Sequence, residues 1–521
     1  MKTKIFIFLM AIAFSQSIAQ NNSHETSLAV SEKHTKEFSK KREAENLPTN
    51  KKPNIIWLMA EDMSLDLACY GMPSVKTPNL DKMAASGVRF DNCFVTNPIC
   101  SPSRSAMMVG THQTKINAQN HRSNKDIPLD QNYKPFTYWL RKEGYTTILG
   151  HHAVQSKGRK TDVNFKHQPI GEWDGVSKFG LFDKYDTFEN DGKPFFAQIQ
   201  LNVTHRGDWW NEIRAKSTHP VDPNKVVMPP YLANDPVIRL DWAKYLDQIE
   251  FMDAEVGMIF KELEEKGLAE NTIVIFIGDN GRCNIKGKGY LYDSGLKIPL
   301  IILDPRSKAN GTVRKDVISS TDITATILDY AGIKVPEYVT GSPIFSPNFK
   351  REYVYATRDL WDEIQEQSRA VTSGKWKYIR NDKPEIPLDA HQAYLEFYRP
   401  ALHIMRRLKE EGKLNEVESQ FFSSTKAKEE LYDLEKDPNE FINLASNKKH
   451  KKQLAKLRKE TLKNDLEMKA SSDVFVPVTA TSVELLAWIK KEKPELYKEM
   501  LKGVEIGYHW LSKQFDQNNK D

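Results

Sequence analysis

The sequence of this 521-residue chain predicts an α/β fold: a central, mostly parallel sheet flanked by helices, followed by a smaller C-terminal α+β domain. Three observations carry that prediction. From Pro53 to about Pro347, apolar runs of strand length alternate with segments of helical periodicity, the pattern of a sheet with helices on both faces. The runs are continuous rather than alternating, so both faces of each strand are buried, as in a parallel sheet. Beyond Pro347 the texture changes to short strands followed by Lys- and Glu-rich helices.

The elements follow in order. Lys2 and Lys4 precede an apolar run, Ile5 to Phe14, and Ser17-Ile18-Ala19 offers small residues before a cut. Residues 1–19 read as a signal peptide, too short to span a bilayer, so the mature protein is expected to be exported, periplasmic or secreted. Residues 20–52 are polar and read as a flexible leader. Pro53 opens a strand, Asn54 to Met59. Helical periodicity follows at Asn79 to Ala85 and Phe136 to Glu143, and strands at Thr146 to Leu149 and Phe195 to Val203. Ile238 to Lys266 is a long amphipathic helix ended by Gly267. Thr272 to Ile277 and Pro299 to Leu303 are buried strands, and Thr321 to Ala331 is a helix stopped at Gly332. The first domain is placed at residues 53–347. The second, residues 348–521, opens with strands at Glu352 to Ala356 and Trp376 to Ile379.

A formal charge of +5 is small for so long a chain. With no zinc-finger spacing and no basic stripe, it excludes a nucleic-acid partner but suits an anionic substrate. No other segment is long and apolar enough for a stable membrane span. There are four cysteines, which permit at most two bridges, and Cys69 with Cys93 is the candidate pair.

Ligands of a parallel α/β sheet bind beyond the carboxyl ends of its strands. Here those ends are polar: Glu61-Asp62, His151-His152, Thr204-His205-Arg206 and Asp279-Asn280. Each pair alone fits helix capping. Together, Glu61, Asp62, Asp279 and Asn280 form a hard-oxygen set that suits calcium or magnesium. The segment Asn97-Pro98-Ile99-Cys100-Ser101-Pro102-Ser103-Arg104-Ser105-Ala106 starts a helix, with Ser101 or Ser103 as its cap. Cys100 then lies at a helix N-terminus, where backbone donors favour anions, and Arg104 folds back over the same face.

Cys100-x-Pro102-Ser103-Arg104 resembles the signature of the formylglycine-dependent type I sulfatases of the alkaline phosphatase superfamily. Supporting matches are Pro53 to Asp62, Gly278-Asp279-Asn280-Gly281, Gly287-Lys288-Gly289, Tyr292-Asp293-Ser294-Gly295 and Glu430-Leu431-Tyr432-Asp433-Leu434 with Asp437-Pro438-Asn439-Glu440. The texture is closest to sulfamidase-like and bacterial polysaccharide sulfatases. The resemblance implies an alkaline-phosphatase-like catalytic domain over residues 53–347. It implies that a maturation enzyme oxidises Cys100 to formylglycine (3-oxoalanine), which serves as nucleophile and metal ligand. Ca2+ is then bound by Asp62, Asp279 and Asn280. Glu61 stands where the family usually has Asp. Arg104 and Lys288 hold the hydrate and the sulfate, and His205 contacts the sulfate or the leaving oxygen. The hydrate has two hydroxyls on one carbon: one attacks sulfur, and the other loses its proton to expel sulfate.

One loop departs from the pattern. Where the family shows Gly-Lys-x-His, this chain has Gly150-His151-His152-Ala153. If the strand continues, side chains alternate faces and His151 inherits the anion-binding place of the lysine. If the chain turns sharply, His152 enters instead. His121 and Arg122 are candidates for binding a carboxylate or a second sulfate of the substrate, Arg206 is a further substrate-binding candidate, and Trp209 and Trp210 are candidates for stacking on a sugar ring. The expected activity is hydrolysis of sulfate esters on a sulfated polysaccharide or its oligosaccharides, with an algal polymer such as ulvan favoured. The alternatives are a phosphomonoester or phosphonate hydrolase of the same superfamily, and a catalytically impaired protein that binds sulfated glycans.

Overall fold

The computed structural model describes residues 51–469 and 481–518. The expected signal peptide and almost all of the expected leader lie outside the described residues.

The principal sheet has eight strands. They are β1 (Asn54–Ala60), β2 (Val88–Phe94), β3 (Thr146–Leu149), β4 (Lys184–Tyr185), β5 (Phe195–Leu201), β6 (Thr272–Gly278), β7 (Lys297–Leu303) and β8 (Thr312–Ser319). Their order across the sheet is β8-β2-β7-β6-β1-β5-β3-β4. β1 is central and parallel to both neighbours, pairing Leu58 with Ile199 on β5 and with Phe276 on β6. Only β7 runs against its neighbours β6 and β2. The fold is therefore α/β and mostly parallel, and all strands but β7 bring their carboxyl ends to one edge.

Alternation along β1 divides the interior. Ile55, Trp57 and Met59 join Phe90, Ile275 and Leu300 in one core, while Ile56, Leu58 and Ala60 join Ile199, Phe276 and Trp242 in the other. The long helix Pro236–Glu265 covers the second core. Its start is fixed by Pro236 and by Asp235, whose carboxylate accepts from the Val237 N–H. No described helix is long and apolar enough to cross a membrane.

The second sheet is antiparallel: β9 (Val354–Trp361), β10 (Ile364–Thr372), β11 (Trp376–Asn381) and β12 (Glu429–Asp433), in that order. Tyr355, Val371, Tyr378 and Leu431 on these strands pack on Leu454 and Leu457 of the helix Lys451–Glu467. Shorter helices, Ala393–Tyr398 and the C-terminal Thr481–Glu492, Pro494–Leu501 and Tyr508–Asn518, form a separate apolar cluster.

Strands β2, β8, β10 and β12 carry no clean apolar run and were not expected from the sequence. β8 is an edge strand with Arg314, Lys315 and Asp316 in it, and only its last two residues are buried. The expected Cys69–Cys93 bridge is not made, because all four cysteines are free. Cys93 lies in the core on one face of the sheet, and Cys69 packs against the core on the other.

Candidate active site

The carboxyl edge of the sheet gathers four segments. Glu61-Asp62 continues β1 and Asp279-Asn280 continues β6. Backbone bonds from Asp279 N–H to the Ala60 carbonyl (3.0 Å) and from Met63 N–H to the Asn280 carbonyl (2.8 Å) hold the two ends side by side. The turn needs Asp62 at φ 45°, a left-handed conformation disfavoured for a side chain with a Cβ. It is secured by the Asp62 N–H, which donates to Asp279 Oδ1 at 2.9 Å. After β2 the chain crosses to the helix Cys100–Val109, which begins at the cysteine itself. Ligand atoms of Glu61, Asp62, Cys100 and Asp279 all lie within 4.8 Å of one another. Sγ of Cys100 is 3.7 Å from Asp62 Oδ1.

Three cations are interleaved with these acids. Arg104 donates to Asp279 Oδ2 at 3.0 Å and to Gln200 Oε1 at 2.6 Å, and it pairs with Glu61. Lys288 reaches both oxygens of Asp62, at 2.7 and 3.0 Å. Lys160 reaches Glu61 Oε2 at 2.8 Å. Losing one partner of such a buried pair costs about 3–5 kcal/mol, so these side chains lock one another in place.

Burial works to raise every carboxyl here. At Glu61 the charges of Lys160 and Arg104 outweigh it, and at Asp62 those of Lys288 and His205 do, so both stay below the usual carboxylate range. Asp279 is pushed up to about 6, because burial exceeds what Arg104 returns and the Glu61 and Asp62 charges add to it. Burial raises the Cys100 thiol above its ordinary value. His205 is pushed down to about 4 by burial, against the pull of Asp62. Its Nδ1 donates to the Arg206 carbonyl at 3.0 Å, which leaves Nε2 at 4.0 Å from Asp62 Oδ2.

The donor set fits a divalent cation. All its carboxylate and amide donors are oxygens. The Asn280 amide NH2 is used on Asp62 (3.0 Å) and the Gly281 carbonyl (2.9 Å), while its Oδ1 is buried with no hydrogen-bond partner among the described residues.

Arg104, His205, Lys288 and the five expected metal ligands, Glu61, Asp62, Cys100, Asp279 and Asn280, thus meet in one place. The other candidates are elsewhere or already paired. His151 does not enter the site. The strand ends at Leu149, and Gly150 turns the chain at φ +87°, where a Cβ would meet the Lys157 carbonyl at 2.3 Å. His151 and His152 both go to Glu262 near the end of the long helix, at 3.0 and 3.4 Å. Ser101 and Ser103 do not cap the helix. Ser103 donates to the Asp279 carbonyl at 2.6 Å, and Ser101 Oγ accepts from the Arg122 N–H at 3.1 Å. The Arg122 side chain forks onto Asp162 at 3.0 and 2.9 Å, and His121 lies 2.8 Å from Asp362. Arg206 is spent in a buried cluster with Asp241 and Glu505. Glu505 also takes Lys244 and Asn211, each at 2.8 Å. Trp210 is fully buried and offers no face to a sugar, whereas Trp209 is half-buried, 6.4 Å from the His205 ring and 5.4 Å from that of His509.

Three residues of the site escape a reading of the sequence. Lys160 arrives from beyond the turn Gln155–Gly158 and places its ammonium 2.8 Å from Glu61. Gln200 sits on a strand that reads as purely structural. Tyr394 comes from the helix Ala393–Tyr398, its hydroxyl 3.5 Å from His205 Nε2 and its ring centre 5.9 Å from Lys288 Nζ. No motif spacing marks any of the three. Lys160→Ala is expected to lower kcat/KM by about 100-fold, the scale of one lost charge-stabilising contact, while His152→Ala changes it less than about threefold. Steady-state kinetics on one sulfate ester checks this, and equal losses in both would remove Lys160 from the site.

Comparison with known proteins adds the following. Residues 53–333 match the family model described as Sulfatase. The chain is 33% identical over 470 residues to an ulvan-active sulfatase of Formosa agariphila, covering 81% of this chain and 76% of that one. It is 24% identical over 462 residues to the human N-sulphoglucosamine sulphohydrolase, covering 79% and 89%. A structure solved with its substrate D-glucosamine-2-N,6-O-disulfate superposes with a TM-score of 0.56 at 18% identity, covering 81% of this chain and 99% of that one.

Proposed function

We propose, from the premise that the chain belongs to the sulfatase family and is a sulfuric-ester hydrolase, that it is exported and removes sulfate from a sulfated polysaccharide or its oligosaccharides. In this reading Cys100 is matured to formylglycine and one calcium ion is held by Glu61, Asp62, Asp279 and Asn280. The observation that carries it is Cys100 at a helix N-terminus, enclosed by three carboxylates and close to Arg104, Lys160 and Lys288.

When present, formylglycine supplies two hydroxyls on one carbon, and calcium offsets the negative charge of the acids and the sulfate. The chain does the rest. Backbone N–H groups at the start of the Cys100 helix favour an anion there. Lys288 and Lys160 supply positive charge for the ester oxygens in a buried setting, where it is least screened. Arg104 is anchored by Gln200, Glu61 and Asp279 and so fixes the acids as well as the field. His205 faces the site with Nε2, an atom able to hold or release a proton beside the leaving oxygen. The choice of a glycan rests on the relatives named above and on Trp209, whose indole stands at the rim beside His205.

Matured protein should release free sulfate from at least one defined sulfated oligosaccharide, with ulvan fragments in the first panel. Turnover of an aryl phosphate or phosphonate ester faster than every sulfate ester tested would replace this reading with that of a phosphoryl or phosphonyl hydrolase.

A further inference from the structure

We propose that His151, His152 and Glu262 form a second metal site, for a transition cation of the zinc class, separate from the oxygen-lined site at Asp62. The three residues lie together because Gly150 turns the chain out of the sheet and lays the two histidines against the end of the long helix. Their ligand atoms all fall within 4.8 Å of one another.

The spacing fits a small tetrahedral ion. Bonds of about 2.0–2.2 Å to nitrogen and oxygen set neighbouring ligands roughly 3.3 Å apart. Here Glu262 Oε2 is 3.0 Å from His151 Nε2 and 3.4 Å from His152 Nε2. The imidazoles lie side by side, with centroids 4.6 Å apart and planes inclined by 26°, and both bring Nε2 near Glu262 Oε2.

A second observation comes from His151 itself. It is fully buried, and its Nε2 has no hydrogen-bond partner among the described residues even though a carboxylate oxygen lies 3.0 Å away. The ring N–H direction does not meet that oxygen. Two polar atoms this close that do not point at each other can both face a third position, which is how ligands surround an ion. Lys266 forms an ion pair with the other oxygen of Glu262 at 2.7 Å, and Oε2 is the oxygen nearest the two imidazoles. His152 is 61% exposed, which gives an ion a path in and leaves a fourth position to water. Two imidazoles and one carboxylate with an open position suit zinc and its neighbours, not calcium.

Binding has a defined proton balance. Nε2 of each ring must be free of its proton, so on His151 the proton moves to Nδ1 and the 3.2 Å contact from the Ala153 N–H is given up. The ion would pin the segment that leads to Lys160 onto the long helix. It is a staple outside the catalytic pocket.

The test uses tag-free protein kept in excess Ca2+, stripped with a zinc chelator and titrated with Zn2+ against a chromophoric indicator. Wild type is expected to bind one equivalent more than His152→Ala or Glu262→Gln, each of which weakens this site by about 100-fold or more. Co2+ in its place should give the visible ligand-field bands of a four-coordinate ion, without the thiolate charge-transfer band that binding at Cys100 would add. His152 is exposed, so the His152→Ala chain should unfold at the metal-free wild-type temperature, which separates loss of the site from loss of the fold. Equal zinc uptake by wild type and both variants, or no uptake by wild type, overturns the proposal.

Discussion

Cys100→Ala is expected to lower turnover of every sulfate ester by at least about 10⁴-fold, the scale of losing a nucleophile, while leaving the protein folded. Cys100 is 1% exposed, and Asp62 Oδ1, 3.7 Å from its sulfur, is the hydrogen-bond partner that would be lost. Arg104, Lys288 and the acids hold one another without it. The residual rate then reports what the electrostatic cage achieves alone. Cys100→Ser restores one hydroxyl but no second oxygen on that carbon. It is expected to take sulfate from the substrate once and stall as a sulfated protein of higher mass. Release of free sulfate, intact mass and thermal unfolding, read on matched preparations, check all three statements. A Cys100→Ala protein that works at the wild-type rate would sink the assignment.

Removal of the divalent cation is expected to cost at least about 10³-fold in turnover, with calcium alone restoring it and zinc failing to do so. The reason is crowding. Three carboxylates share one small volume, and Asp279 sits at about 6 because burial and its acidic neighbours outweigh Arg104. A folded-state carboxyl raised above its unfolded value holds a proton that the unfolded chain releases. Stability of the metal-free protein therefore falls as pH rises from about 4 to about 6, and the full cost remains at higher pH. A bound cation takes the place of that proton. The rise in unfolding temperature on adding calcium should thus be larger at pH 8 than at pH 5. An equal shift at both values would contradict this account of Asp279, and recovery of turnover with zinc alone would contradict calcium.

Much of the fold was legible because burial leaves a strong mark on composition. β1, β6 and β7 are buried along nearly their whole length, and their apolar runs locate them to within a residue or two. β8 and β2 are not legible this way, since Arg314, Lys315, Asp316, Arg89 and Asp91 interrupt them. Their place is set by pairing across the sheet, which no local pattern records. The site divides along the same line. Glu61, Asp62, Asp279, Asn280 and Cys100 follow directly on strands or open a helix, so topology brings them together. Lys160 depends on how a turn folds back, and Tyr394 on how a helix 189 residues further along the chain packs against His205. His151 was misplaced for a related reason: strand alternation holds only while the strand continues, and a glycine at φ +87° ends it.

Residues far along the chain support the site and its neighbourhood. Glu505 braces Arg206 and Lys244, and Tyr394 stands over Lys288 and His205. Both enter the growing polypeptide well after Ile333, where the family match ends. A ribosome that has reached Ile333 has already released every acidic ligand, the cysteine and both active-site lysines. It has not yet made the tyrosine beside His205 or the glutamate that braces Arg206. Interrupted translation or proteolytic trimming before Tyr394 therefore yields a chain that has the cysteine and its surrounding charges but lacks the hydroxyl beside His205 and the ring near Lys288.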